Sequence, residues 1–136
     1  MIIGIGTDVV AVVRMAALWQ RQGMRLGRRI LAPEELDGLA RSSRPAHYLA
    51  KRFAAKEAFA KALGTGLGGG VFLRHIAVEH DGAGAPRLAL SGQAAELLSA
   101  RRARCHLSIS DERDCAIAFV VIEADGIGQS AAPLSA

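Results

Sequence analysis

Cysteines, aromatic side chains, lysines and long apolar runs are all scarce in this chain. Two cysteines, Cys105 and Cys115, in 136 residues are too few for a secreted disulfide framework, and no C-x-x-C spacing offers a metal site. Both are expected in the core of a cytoplasmic protein with reduced thiols. Aromatics make up only 4%, and no recognised nucleic-acid-binding motif occurs, which argues against a DNA- or RNA-binding module. No apolar run approaches the roughly 18–20 residues that span a bilayer. The start, Met1-Ile2-Ile3-Gly4-Ile5-Gly6, lacks the basic region and small-residue cleavage site of a signal peptide, so no membrane association is expected. Lysine is limited to Lys51, Lys56 and Lys61, against 14 arginines. Three lysines kept within one short segment of an arginine-rich chain hint at a local requirement there.

The length suits one domain with one core, expected over residues 1–123. The small, polar tail 124–136 is expected to be disordered. A net charge of +4 and a pI near 9.7 favour an acidic partner: nucleic acid, an acidic protein or a polyphosphate ligand.

Alternation over residues 2–10 predicts a strand, with Gly4 and Gly6 leaving one face bare for a close backbone or ligand. Helical periodicity follows over 13–30, where Met15, Leu18, Trp19, Leu26 and Ile30 share a side and Gly23 and Gly27 are possible break points. Pro33-Glu34-Glu35 reads as a short helix start. Residues 45–63 form the strongest helical segment, closed by Gly64 as a left-handed cap. A glycine-rich loop, 64–70, leads to strands at 74–80 and 86–90, a helix at 92–102, and strands at 104–110 and 115–123. The class is α+β, with an antiparallel sheet packed against a long central helix.

Asp8 stands alone in an apolar strand. Burying a carboxylate costs on the order of several kcal/mol unless it is paired, hydrogen-bonded or metal-bound; the plainer alternative is a cap on the following helix. Phe53, Glu57 and Lys61 are spaced i, i+4, i+8 and share one flank of the central helix. Glu57 is either one half of an exposed ion pair with Lys61 or, among Phe53, Ala54, Ala58 and Phe59, a packed acid with a task. Asp8 and Glu57 together would suit Mg2+, which takes one or two carboxylates and fills its shell with water and phosphate. The glycine run is no Walker loop, and it follows a helix C-terminus, whose dipole repels anions. Arg14, Arg21, Arg25 and Arg28 fall within about 60° of one another on a helical wheel, and no acid occurs between Asp8 and Glu34 to neutralise them. Such a ridge is either a solvated face or a dock for an acidic protein or a nucleic-acid backbone.

Three segments in order resemble the holo-acyl-carrier-protein synthases of bacteria: Ile3-Gly4-Ile5-Gly6-Thr7-Asp8; Arg52-Phe53-Ala54-Ala55-Lys56-Glu57-Ala58-Phe59-Ala60-Lys61 with Gly64-Thr65-Gly66; and His106-Leu107-Ser108-Ile109-Ser110-Asp111. The resemblance covers about residues 1–123. It implies a 4′-phosphopantetheinyl transferase fold and a Mg2+-dependent transfer of the phosphopantetheine arm of coenzyme A to a serine of an acidic acyl carrier protein, in support of fatty acid biosynthesis. It implies Asp8 and Glu57 as metal ligands and Lys61 at the phosphates as a catalytic group. The serine's proton would go to a metal-bound water or to Glu57. Arg52, Lys61, Gly64, Thr65, Gly66 and His106 would hold coenzyme A. Arg14 and Arg21, supported by Arg25 and Arg28, would dock the carrier protein. A homotrimer with active sites between subunits is also implied. Many relatives carry a histidine where this chain has Asp111, so no role of that histidine is transferred.

Overall fold

Ten residues, Ile2–Ala11, form β1, and pair antiparallel with β5 (Cys115–Ala124), which in turn pairs with β4 (Ala103–Asp111), giving the order β1-β5-β4. The computed structural model describes residues 1–126. Ala124, expected to begin a disordered tail, closes β5, whereas 127–136 lie outside the described residues. A second antiparallel pair, β2 (Ile76–His80) with β3 (Pro86–Leu90), is joined by a turn in which Asp81 Oδ1 accepts from the amides of Ala83 and Ala85. The α+β reading with antiparallel strands therefore holds, in two sheets rather than one.

The predicted helix over 13–30 is two helices, α1 (Val12–Gln22) and α2 (Met24–Ile30). Gly23 breaks them at φ 53°, a conformation that L side chains avoid. Gly27 breaks nothing: it lies buried in α2, where a Cβ would meet the Leu39 side chain. A 3₁₀ turn at Pro33–Glu35 leads into α3 (Leu36–Arg41), another at Leu73–His75 precedes β2, and α5 (Gly92–Ala100) precedes β4.

α4 (Pro45–Leu63) runs through the middle, starting at a proline and ending at Gly64 with φ 81°, as helix-terminus chemistry requires. It carries no single apolar stripe because it is covered on several sides. Ala54, Ala58, Phe59 and Leu63 join Val120, Ile122, Ile76 and Ala94 in one core cluster. Leu49 and Ala50 join Met15, Leu26, Ile30 and Leu39 in another. Gly4 and Gly6 of β1 are pressed against this helix: a Cβ at Gly4 would strike the carbonyl of Ala62, and one at Gly6 the carbonyl of Ala58 and the amide of Ala62. Bare strand positions against alanines bring the two backbones to near contact, and that closeness sets the site.

Candidate active site

Asp8 follows the glycines on β1, on the same side of the sheet, and its carboxylate meets α4 through Lys61. Glu57 and Lys61 meet it from α4. Lys61 Nζ donates to Asp8 Oδ1 at 3.1 Å and to the Thr7 carbonyl at 2.9 Å. The carboxylate partner of Lys61 among the described residues is therefore Asp8, and not Glu57 one helical turn away. Helix capping by Asp8 is also ruled out: the N-cap of α1 is Ala11, and no side chain caps the helix. Burial first, and the Asp8 charge second, push the Glu57 carboxyl above its usual range, while Lys61 pulls the other way. Two carboxylates that repel one another beside one ammonium form a site able to accept a further cation.

That donor set suits a hard divalent ion. Among the described residues no three His, Cys, Asp or Glu side chains cluster, so an ion on Asp8 and Glu57 would complete its shell with water and phosphate, the habit of Mg2+ rather than of structural zinc.

A cleft of about 480 Å³ opens from the two carboxylates. Met15, Leu18, Leu26, Ile30, Phe53 and Leu73 give it an apolar floor, and Arg14 and Arg29 stand at it as cations. The apolar residues of α1 and α2 were legible as a stripe destined for packing. That the stripe also lines a cleft, together with Leu73 from a distant turn, had no signal in the sequence.

The remaining expected residues are spread more widely. Arg14, Arg21, Arg25 and Arg28 are all exposed, but the break at Gly23 puts two on each helix, so they are not one continuous helical ridge. Gly64 and Gly66 donate their amides to the carbonyls of Lys61 and Ala60 and so satisfy the end of α4, and the Thr65 hydroxyl donates to the Gly66 carbonyl. Arg52 Nε lies 3.1 Å from Glu35 Oε2, not aligned for a hydrogen bond, and its guanidinium stacks over Tyr48 at 3.6 Å. His106 pairs with Glu123 at 2.9 Å. In register it aligns with Val121 and Ile5, on the sheet face opposite that of the Asp8–Ala118–Ile109 row. Within one chain, then, Asp8, Glu57 and Lys61 come together and His106 does not join them. Cys105 and Cys115 are half-buried free thiols, and burial raises the thiol pKa of Cys105.

Known proteins are similar to this chain in both sequence and fold. The holo-[acyl-carrier-protein] synthase of Laribacter hongkongensis is 55% identical over 124 residues, covering 90% of this chain and 99% of that one. The crystal structure of holo-[acyl-carrier-protein] synthase from Neisseria meningitidis superposes with a TM-score of 0.84 at 47% identity, covering 90% of this chain and 99% of that one. The enzyme of the same name from Bacillus anthracis, solved in complex with CoA (3′,5′-ADP), gives a TM-score of 0.76 at 36% identity over 92% of this chain and 99% of that one. Residues 4–120 match the family model of the 4′-phosphopantetheinyl transferase superfamily, and this chain belongs to that family.

Proposed function

We propose that this chain is a holo-acyl-carrier-protein synthase that transfers the 4′-phosphopantetheine group of coenzyme A to a serine of an apo-acyl carrier protein, with Mg2+ held by Asp8 and Glu57. The observation that carries the reading is the meeting of Asp8, Glu57 and Lys61, with both carboxylates and Arg14 lining one cleft. In the reaction, the serine oxygen forms a bond to the phosphorus that bears the pantetheine arm. The bond from that phosphorus to the bridging oxygen of the pyrophosphate breaks, and its electron pair leaves with adenosine 3′,5′-bisphosphate. The nucleophile belongs to the carrier protein, so this chain needs none.

Lys61, half exposed beside Asp8, would meet phosphate oxygens and the charge that grows on them. Asp8 and Glu57 would hold Mg2+, which would supply positive charge to offset that of the pyrophosphate. The serine proton would pass to Glu57 or to a water held beside it at the carboxylate edge of the cleft. Arg14 beside the cleft and Arg21 on the same helix, with Arg25 and Arg28 beyond the break, give an acidic carrier protein a basic approach.

The assembly we propose is a homotrimer with active sites between subunits. Supporting it, Ile3, Ile5, Val9, Ile117 and Phe119 lie exposed on the outer face of the three-stranded sheet, a contiguous apolar surface of the kind that self-association covers. His106 lies on that same face, where a neighbouring copy would meet it. A cytoplasmic place, serving fatty acid biosynthesis, fits a chain in which no described helix is long and apolar enough to cross a membrane.

Mass spectrometry of an apo-acyl carrier protein incubated with this chain, coenzyme A and Mg2+ tests the reading. The expected result is a gain of roughly 340 Da that EDTA abolishes, as metal-assisted phosphoryl transfer requires. No gain with any of several carrier proteins would overturn it.

A further inference from the structure

Among the described residues Lys56 is the largest fully buried side chain, at 0% exposure, and Glu35, at 4%, is the other buried charged residue. All three ammonium hydrogens of Lys56 have acceptors: Glu35 Oε1 at 2.5 Å, the Ile30 carbonyl at 2.8 Å and the Leu73 carbonyl at 3.3 Å. Glu35 in turn accepts from the amides of Ala32 at 2.9 Å and Val78 at 3.2 Å, with Arg52 beside its second oxygen. This ion pair joins α4 to the end of α2, to the 3₁₀ turn at Pro33–Glu35, to the turn at Leu73 and to β2.

Stability alone does not account for it. Apolar side chains of similar volume often replace a buried ion pair with no loss of stability, because desolvation offsets most of the attraction. What an ion pair adds is direction. Lys56 immediately precedes Glu57 on α4, so fixing where Lys56 points fixes the rotation of the helix, and with it the aim of Glu57 and of Lys61 one turn on. Ile30 and Leu73, whose carbonyls Lys56 holds, line the same cleft as Glu57 and Asp8.

We infer that Lys56, held by Glu35, is a positioning residue for phosphopantetheine transfer: it sets the rotation of α4 that carries Glu57 and Lys61 to Asp8, and it anchors the Ile30 and Leu73 walls of the cleft. This role rests on reading Asp8, Glu57 and Lys61 as the transfer site.

The test compares the unsubstituted chain with Lys56→Met and with Lys56→Met/Glu35→Gln. The single substitution strands the Glu35 carboxylate in the interior and lowers the thermal midpoint. The double substitution removes both charges while keeping an amide oxygen for the Ala32 or Val78 amide, and the thermal midpoint recovers. Three readouts follow: the thermal midpoint, Mn2+ affinity in the presence of coenzyme A by water-proton relaxation, and steady-state transfer. In the recovered double variant, Mn2+ affinity and kcat are expected to stay about 10–100-fold down, the usual cost of losing a group that orients a metal ligand. KM for the carrier protein should stay near that of the unsubstituted chain, since the arginines of α1 are untouched. A double variant that regains Mn2+ affinity and kcat along with its thermal midpoint overturns the positioning role, as does one that stays unfolded, which would make the charges a requirement of folding itself. Transfer by the unsubstituted chain tests the transfer reading separately, and the Mn2+ titration, which involves no carrier protein, tests whether Lys56 positions the carboxylates.

Discussion

Lys61 Nζ reaches Asp8 Oδ1 at 3.1 Å across 53 residues of sequence, and this pair marks where strand β1 and helix α4 meet as a site. The Lys61 side chain is 52% exposed and that of Asp8 17%. A pair this open contributes about 0–1 kcal/mol to stability, so its value lies in chemistry. Lys61→Met should leave the thermal midpoint nearly unchanged and lower kcat by about 10²–10³-fold, the usual loss when one preorganised donor to a developing negative charge is removed. A melting curve and a carrier-protein transfer assay on the same preparation check both halves.

Glu57 behaves differently, because it is a carboxylate facing another carboxylate. Glu57→Ala removes a charge that Asp8 opposes, so the metal-free fold should be no less stable, while transfer should vanish and Mg2+ should no longer restore activity after EDTA. Full activity in this variant would remove Glu57 from the metal site.

Gly6 bears on the same geometry from the strand side. Its φ is not positive, so alanine is conformationally allowed there, but the added Cβ would strike the backbone of α4 at Ala58 and Ala62. Gly6→Ala should cost about 1–3 kcal/mol or more, as overpacking does, and should lower transfer because the strand carrying Asp8 is pushed from the helix carrying Glu57. Urea denaturation read against activity tests this link.

The outer sheet face gives an assembly prediction. Ile5 and Phe119 are 62% and 45% exposed. Ile5→Glu or Phe119→Glu should convert a trimer to monomers by light scattering, with the far-UV circular dichroism spectrum unchanged and transfer reduced. An unaltered mass would place the contact elsewhere.

Acid titration of Glu123 has a defined sign. Hydrogen bonds from Arg104, then from His106, hold its carboxyl down from an ordinary 4.5 to about 2. A depressed carboxyl contributes stability that is present above pH 4.5 and is lost as pH falls from there toward about 2. The contribution is small and salt-sensitive, since the group is exposed. Carboxyl-carbon NMR should follow the titration, and Arg104→Ala should move the midpoint back up.

Much of this was legible in the chain. Alternation defined β1, and the alanine-rich segment with Pro45 at its start and Gly64 at its end defined α4, because local propensity and capping act within a few residues. A lone acid in an apolar strand and an acid on a packed helix flank both asked for partners, and Asp8 and Glu57 met. The split of residues 13–30 was harder, since two glycines offered break points and only Gly23 takes the left-handed conformation. Arg52 and Lys56 show the limit: both lie in the recognisable α4 motif, yet their partner Glu35 is on another segment, and no periodicity connects them.

The sequence by itself determined the elements, their ends and the types of group available for chemistry, because backbone preference, capping and burial pattern depend on near neighbours. The tertiary structure alone decided which of those groups meet. It paired Lys61 with Asp8 rather than with Glu57, turned His106 to the opposite sheet face, and buried Lys56 behind the cleft. These outcomes follow from how closely two glycines let β1 approach α4 and from where a buried charge finds its counter-charge, long-range packing relations that short-range patterns in a chain do not encode.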